Sequence, residues 1–191
     1  MIYFYTINGL PVQTGDIICT TDGGKGLLGQ FWWIVGKLIP GDVDHTVIYT
    51  GPNGKCVEAG AKGRVITFEI PSQRWDSEEM LAQRLISDEI YGIAYPCRNR
   101  GLTEREEIYV REDVAEYCLK QAEMQKPYNF NLLNSSTEDA FYCGQLAYAA
   151  YLRHGIDFNT GKGIPDIPGT GSIIFPQEIW DSCEHKKAAE Y

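Results

Sequence analysis

The chemistry available to this chain rests on three residue types at three positions: His45, Glu58 and Cys143. His45 and Glu58 flank Gly51-Pro52-Asn53-Gly54, a run of strong turn formers between two β-branched, apolar stretches, so the segment reads as a hairpin. With a loop of two or of four residues, Thr50 faces Lys55, Val47 faces Glu58 and His45 faces Gly60. His45 and Glu58 then lie on one face as diagonal neighbours, roughly 7 Å apart along the backbone, within reach of an imidazole and a carboxylate. A glutamate that accepts from a histidine fixes its tautomer and stabilises the imidazolium. A three-residue loop would send Glu58 to the other face. Taken alone, a histidine among Val43, Val47 and Tyr49 is most often a satisfied, half-buried side chain, and a lone strand glutamate most often faces water.

Cys143 lies near the expected start of a helix, where unsatisfied N–H groups and the positive end of the dipole favour a thiolate and can hold an oxyanion. Beside Phe141, Leu146 and Ala147 it also reads as a small core residue. The other five cysteines lack that setting. Cys118 falls deep within a helix and Cys19 and Cys56 fall within strands, while Cys97 and Cys183 have no helix start. The six are scattered without a paired rhythm, which predicts mostly free thiols, and no C-x-x-C or C-x-x-H spacing offers a zinc site. No metal and no cofactor are expected.

The elements that must position these residues can be read from pattern. Residues 17–20 form a short strand, and the glycine-rich 22–26 leads into an apolar helix that runs through Lys37 and carries Trp32 and Trp33, before Pro40-Gly41 stops it. Strands over 43–50, 55–60 and 64–70 form an antiparallel meander. Residues 72–91 are polar with weak helical periodicity, and 93–95 is a candidate strand. Thr103-Glu104-Arg105-Glu106 is a capping box that opens a helix to about Gln125, which Pro127-Tyr128 ends. A further helix begins around Asp139, carries Cys143 and stops at Gly155; a short amphipathic helix starts at Pro176. No repeat or linker divides the 191 residues, so a single α+β domain over 1–191 is expected.

The series Gly15-Asp16-Ile17-Ile18, Asp44-His45-Thr46-Val47-Ile48-Tyr49-Thr50-Gly51, Val57-Glu58-Ala59 and Tyr142-Cys143-Gly144-Gln145-Leu146-Ala147 resembles the circularly permuted branch of the NlpC-type papain-like superfamily, the YiiX/YaeF-like proteins. The order histidine, acid, cysteine is the telling feature, and the likeness covers about residues 12–182. It implies a papain-like antiparallel sheet or small barrel packed with helices, with Cys143 as nucleophile, His45 as general base and Glu58 as orienting acid. Tyr128, in Lys126-Pro127-Tyr128-Asn129, matches a tyrosine that borders the site in such proteins. Where that branch often carries Ser-Glu after the cysteine, this chain has Gly144-Gln145, which bears on the substrate pocket.

The implied activity is cysteine-dependent hydrolysis of an amide bond in a cell-wall peptide, a small peptide or an N-acyl amino acid. An acyltransferase or thioesterase would use the same constellation, with Trp32 and Trp33 on residues 25–39 as a lipid-accepting lip, although two ordinary core aromatics is the commoner outcome. A non-catalytic binding domain is the third reading, and it expects the three residues not to converge. A net charge of -9 opposes nucleic acid as a partner. The longest apolar stretch, 27–39, is too short to span a bilayer. The amino terminus lacks the basic start, apolar run and cleavage site of a secretory signal, so the chain is expected in the cytoplasm unless a leader has been removed.

Overall fold

The computed structural model describes residues 1–22, 41–164 and 167–189. The predicted helix through Lys37 and its Trp32 and Trp33 lie outside the described residues.

Among those residues the chain forms eight strands and four α-helices in an α+β arrangement. Phe4–Ile7 (β1) and Leu10–Gln13 (β2) make a two-stranded hairpin. The main sheet is antiparallel, in the order β6-β5-β4-β3-β7-β8. Its strands are Ile17–Asp22 (β3), His45–Gly51 (β4), Lys55–Ala59 (β5), Val65–Glu69 (β6), Asp88–Tyr95 (β7) and Glu184–Lys187 (β8). The meander expected over 43–70 is β4-β5-β6. The sheet also gains β7, four residues of which were read as part of the weakly helical stretch, and β8, whose exposed Glu-His-Lys-Lys sequence has no apolar alternation to reveal it.

Every residue of β4 is buried, because both faces of the sheet are covered. On one side Ile17, Ile48 and Val57 pack with residues of the long helices; on the other Ile18, Val47, Tyr49 and Cys56 pack with Phe68, Trp75, Met80 and the β1-β2 hairpin. Alternation along β4 and β5 assigns His45 and Glu58 to the second face, with Val47 and Cys56.

The helices begin where local chemistry satisfies their first amides. Asp76 accepts from the N–H groups of Glu78 and Glu79 to open Ser77–Arg84 (α1), and Leu85 ends it in the left-handed region at φ 61°. The Thr103/Glu106 capping box opens Glu104–Glu123 (α2) as expected. The third helix, Cys143–Leu152 (α3), starts four residues later than the pattern around Asp139 suggested. Phe141 is held extended by donating to the Pro127 carbonyl and accepting from Asn129 N–H, which postpones the helix to Cys143. Pro176–Ser182 (α4) is the expected short final helix.

The β4-β5 connection corrects one expectation. Gly51, not Thr50, pairs with Lys55, so the loop is the three residues Pro52-Asn53-Gly54, with Asn53 and Gly54 at positive φ. Such a loop would by itself turn Glu58 to the wrong face. The register slips by one residue at Thr50, so that Tyr49 meets Cys56 and Ile48 meets Val57, which returns Glu58 to the face of His45.

Candidate functional site

His45 is the first residue of β4 and is 8% exposed; Cys143 is the first residue of α3 and is 6% exposed. His45 Nε2 donates to Glu58 Oε2 at 2.8 Å, and the thiol of Cys143 lies near enough to the same imidazole to favour its charged form. The helix that carries Cys143 packs in the layer of Tyr142, Leu146 and Ala147, opposite the layer of Val47 and Cys56. Thiol and imidazole therefore meet at the N-terminal end of β4, at the margin between the two layers. Gly60 leaves the room for this: a Cβ there would lie 3.3 Å from the Glu58 carboxyl carbon and 3.6 Å from His45 Cε1.

Burial works against a charge on His45. It is outweighed first by Cys143 and then by Glu58, and the imidazole is raised to about 10. Burial alone would likewise raise the Glu58 carboxyl, but Arg84 and then His45 hold it below the usual carboxylate range. The other five thiols are all pushed up by burial: Cys97 to about 11, Cys183 to about 12, and Cys19, Cys56 and Cys118 further. All six cysteines are unpaired.

Behind Glu58 lies a buried polar cluster that pattern reading did not find. Arg84, the last residue of α1, donates to Glu58 through Nε at 3.1 Å to each oxygen and through Nη2 at 2.8 Å to Oε2. Its other edge donates to Asp88, Nη1 to Oδ1 at 2.7 Å and Nη2 to Oδ2 at 2.9 Å. The guanidinium lies over the rings of Phe68 and Trp75, 4.7 and 4.6 Å from their centroids. Asp88 also accepts from Thr20 Oγ1 at 2.7 Å, Ser77 Oγ at 3.0 Å and Trp75 Nε1 at 3.2 Å. Thr20 is the cross-strand partner of His45, so the cluster returns to the residue from which it starts.

The start of α3 is fixed by Gln145 and Gly144. Gln145 is fully buried; its Oε1 accepts from Tyr142 N–H and Asn129 Nδ2, and its Nε2 donates to the carbonyls of Ser135 and Thr137. The spacing Tyr142-x-x-Gln145 carried that signal, since a Gln at N3 is one half of a capping box. Gly144 is required by close approach: a Cβ would lie 2.3 Å from the Ile174 carbonyl oxygen. Gly144 and Gln145 thus pack the helix start against 129–137 and 173–175. Tyr128 is buried; its N–H donates to Gly63, and its hydroxyl is pushed above the ordinary tyrosine range by burial and then by nearby Cys143.

The grouping places a thiol at a helix N-terminus, an imidazole against it and a carboxylate on the far side of that imidazole, an arrangement able to generate and use a nucleophile. Among the described residues no group of three or more His, Cys, Asp or Glu side chains is placed to hold a metal ion, and no helix is long and apolar enough to cross a membrane.

No family model matches the sequence, and no curated protein matches it. Among solved structures, the crystal structure of metalloprotein yiiX from Escherichia coli O157:H7 (DUF1105) is similar, with a TM-score of 0.58 at 16% sequence identity over 93% of this chain and 97% of that one. At that identity the likeness is one of architecture, and this chain has an α+β fold of the YiiX-like kind.

Proposed function

We propose that the protein is a cysteine-dependent hydrolase of amide bonds, with Cys143 as nucleophile, His45 as general base and Glu58 as the acid that orients it, residues 1–191 forming one catalytic domain of the permuted NlpC type. The observation that carries this reading is the position of His45 between Glu58, at 2.8 Å, and the thiol of Cys143 at the first position of α3.

His45 takes the proton of Cys143, and the thiolate attacks the amide carbonyl carbon. First-turn amides of α3, which have no intrahelical acceptor, hold the oxyanion. The C–N bond breaks as the imidazolium gives its proton to the leaving amine, leaving the acyl group on sulfur. Water then attacks the thioester and gives a proton to His45, the C–S bond breaks to release a carboxylic acid, and the imidazolium returns that proton to the sulfur. Tyr128 borders the path to Cys143.

The yiiX neighbour is described as a metalloprotein. Here the candidate donors do not suit a metal ion: both Glu58 oxygens accept from Arg84, and His45 Nε2 is committed to Glu58.

A thioesterase or acyltransferase would use the same acyl-enzyme. One observation favours an apolar acyl chain: the Tyr128 ring packs at 5.0 Å on Phe130, which is 73% exposed, and Leu133 on the same loop is 57% exposed. The test is a panel of peptide amides, fatty-acyl amides and thioesters with intact-mass detection of the acyl-enzyme. A gain in mass on Cys143 that vanishes in Cys143→Ala is expected. No adduct and no turnover across the panel would overturn the proposal.

A further inference from the structure

We infer that Arg84 and Asp88 are positioning residues for the reaction, Arg84 holding Glu58 in place as a carboxylate and Asp88 supplying the negative charge that Arg84 would otherwise cancel at His45; the inference rests on the Cys143-His45-Glu58 reading above. Glu58 is fully buried, and a carboxylate without water takes up a proton unless a cation stands beside it. A protonated Glu58 could still occupy the place next to His45, but it would not stabilise an imidazolium. Arg84 answers this with three short N–H contacts to the two oxygens of Glu58.

The remedy creates a second difficulty. A glutamate paired with one arginine is neutral, so His45 would face a dipole and not a charge. Asp88 removes that difficulty. It takes the opposite edge of the same guanidinium with two further bonds, so two carboxylates around one guanidinium leave one net negative charge, which an imidazolium at His45 balances. Asp88 is fixed for this by Thr20, Ser77 and Trp75, and the plane of Arg84 by Phe68 and Trp75. Lysine has no planar fork and cannot bridge two carboxylates in this way. Among the described residues, the titratable and charged groups facing His45 are Glu58 from β5, Cys143 from α3 and, behind Glu58, Arg84 from α1 and Asp88 from β7. Cys143 is in turn faced by Cys19 of β3, Tyr128 and Tyr142.

The test is the titration of His45 by NMR in the full chain with isotopically labelled histidine, which has three such residues to assign. It is done in a Cys143→Ala background, so that only the cluster behind the imidazole is read. Asp88→Asn is expected to lower the His45 midpoint by about one to two pH units, the effect of one charge roughly 7–12 Å away at an effective dielectric near 20. Asp88→Glu, which keeps the charge, should restore it. If Asp88→Asn does not fold, Asp88→Ser removes the same single charge and keeps an acceptor for Thr20, Ser77 and Trp75, and the midpoint must fall there too. A folded variant with an unchanged midpoint overturns the inference. Turnover is scored separately with Cys143 present: a shifted midpoint without any hydrolysis would sink the proposed function alone, whereas hydrolysis with a fixed midpoint would sink the role of Arg84 and Asp88 alone.

Discussion

The imidazole of His45 and the carboxylate of Glu58 meet at 2.8 Å from diagonal positions on β4 and β5, and the same carboxylate is also the counter-ion of Arg84. Glu58→Gln therefore has two expected effects. The amide keeps a hydrogen bond to the imidazole but no longer stabilises its charge, so hydrolysis should fall by about 10²–10⁴-fold. It also leaves Arg84 with Asp88 as its remaining anion. Because that bidentate contact persists, the loss of stability should sit at or below the low end of the about 3–5 kcal/mol typical of a broken buried pair. Kinetics beside a thermal melt check both; full activity in a destabilised variant would separate Glu58 from the chemistry.

Gly144→Ala sets helix propensity against a clash. Alanine gains about 1 kcal/mol over glycine in a helix, but its Cβ would stand 2.3 Å from the Ile174 carbonyl oxygen, a backbone atom that can move only with the 173–175 segment. Overpacking of this kind costs about 1–3 kcal/mol, so the clash wins and the variant should melt lower. It should also lose turnover, because the helix start that holds Cys143 must shift. A variant as stable and active as the parent would show that 173–175 yields freely.

Much of this arrangement was legible because it follows local rules. The meander, the Thr103 capping box and the diagonal relation of His45 to Glu58 all come from periodicity and turn chemistry. The hairpin was read correctly for an incomplete reason. The loop has the three residues that should have misplaced Glu58, and the slip at Thr50 repairs it. A bulge leaves no signature in a run such as Tyr49-Thr50-Gly51. Arg84 and Asp88 were invisible because their spacing looks like an ordinary surface helical pair, whereas the helix ends at Leu85 and both side chains turn inward. Only the packing of α1 against β6, which lets the Arg84 side chain reach Glu58, gives them meaning. Strand β8 was missed because its four residues are all exposed.

The two buried carboxylates of the cluster predict acid sensitivity. Both Glu58 and Asp88 are held below their ordinary values of 4.5 and 3.8 despite burial, chiefly by Arg84. Each binds protons less readily folded than unfolded. Their contribution to stability is therefore present above those ordinary values and is lost as pH falls through the lower folded ones. Melting temperature should decline steadily below about pH 4, and the decline should flatten in Glu58→Gln. A parent protein with an unchanged melting point from pH 6 to pH 3 would contradict this.

The alkaline side of the activity profile belongs to His45. Acylation needs the imidazolium to protonate the leaving amine, and His45 is raised to about 10. Hydrolysis should therefore persist through pH 8–9 and fall as pH approaches 10, well beyond the range of an unperturbed histidine near 6.5. An alkaline limb near pH 7 would show that Cys143 and Glu58 do not hold the imidazole protonated.

Selectivity among the six thiols gives the sharpest test of the mechanism, because five of them share one handicap. Cys19, Cys56, Cys97, Cys118 and Cys183 are all pushed up by burial, so at mildly acidic pH each is overwhelmingly the unreactive thiol. Cys143 alone has an imidazole to take its proton and a helix start to face its charge. Exposure does not favour it, since Cys143 at 6% and Cys183 at 8% are equally enclosed. Iodoacetamide at about pH 6 should nonetheless label Cys143 long before Cys183, as read by mass-spectrometric mapping. His45→Ala should slow that labelling and abolish hydrolysis, whereas Cys118→Ala should leave both as they are. Labelling that follows exposure alone, or a Cys143 whose rate is indifferent to His45, would mean that the contact between these two residues is packing and not chemistry.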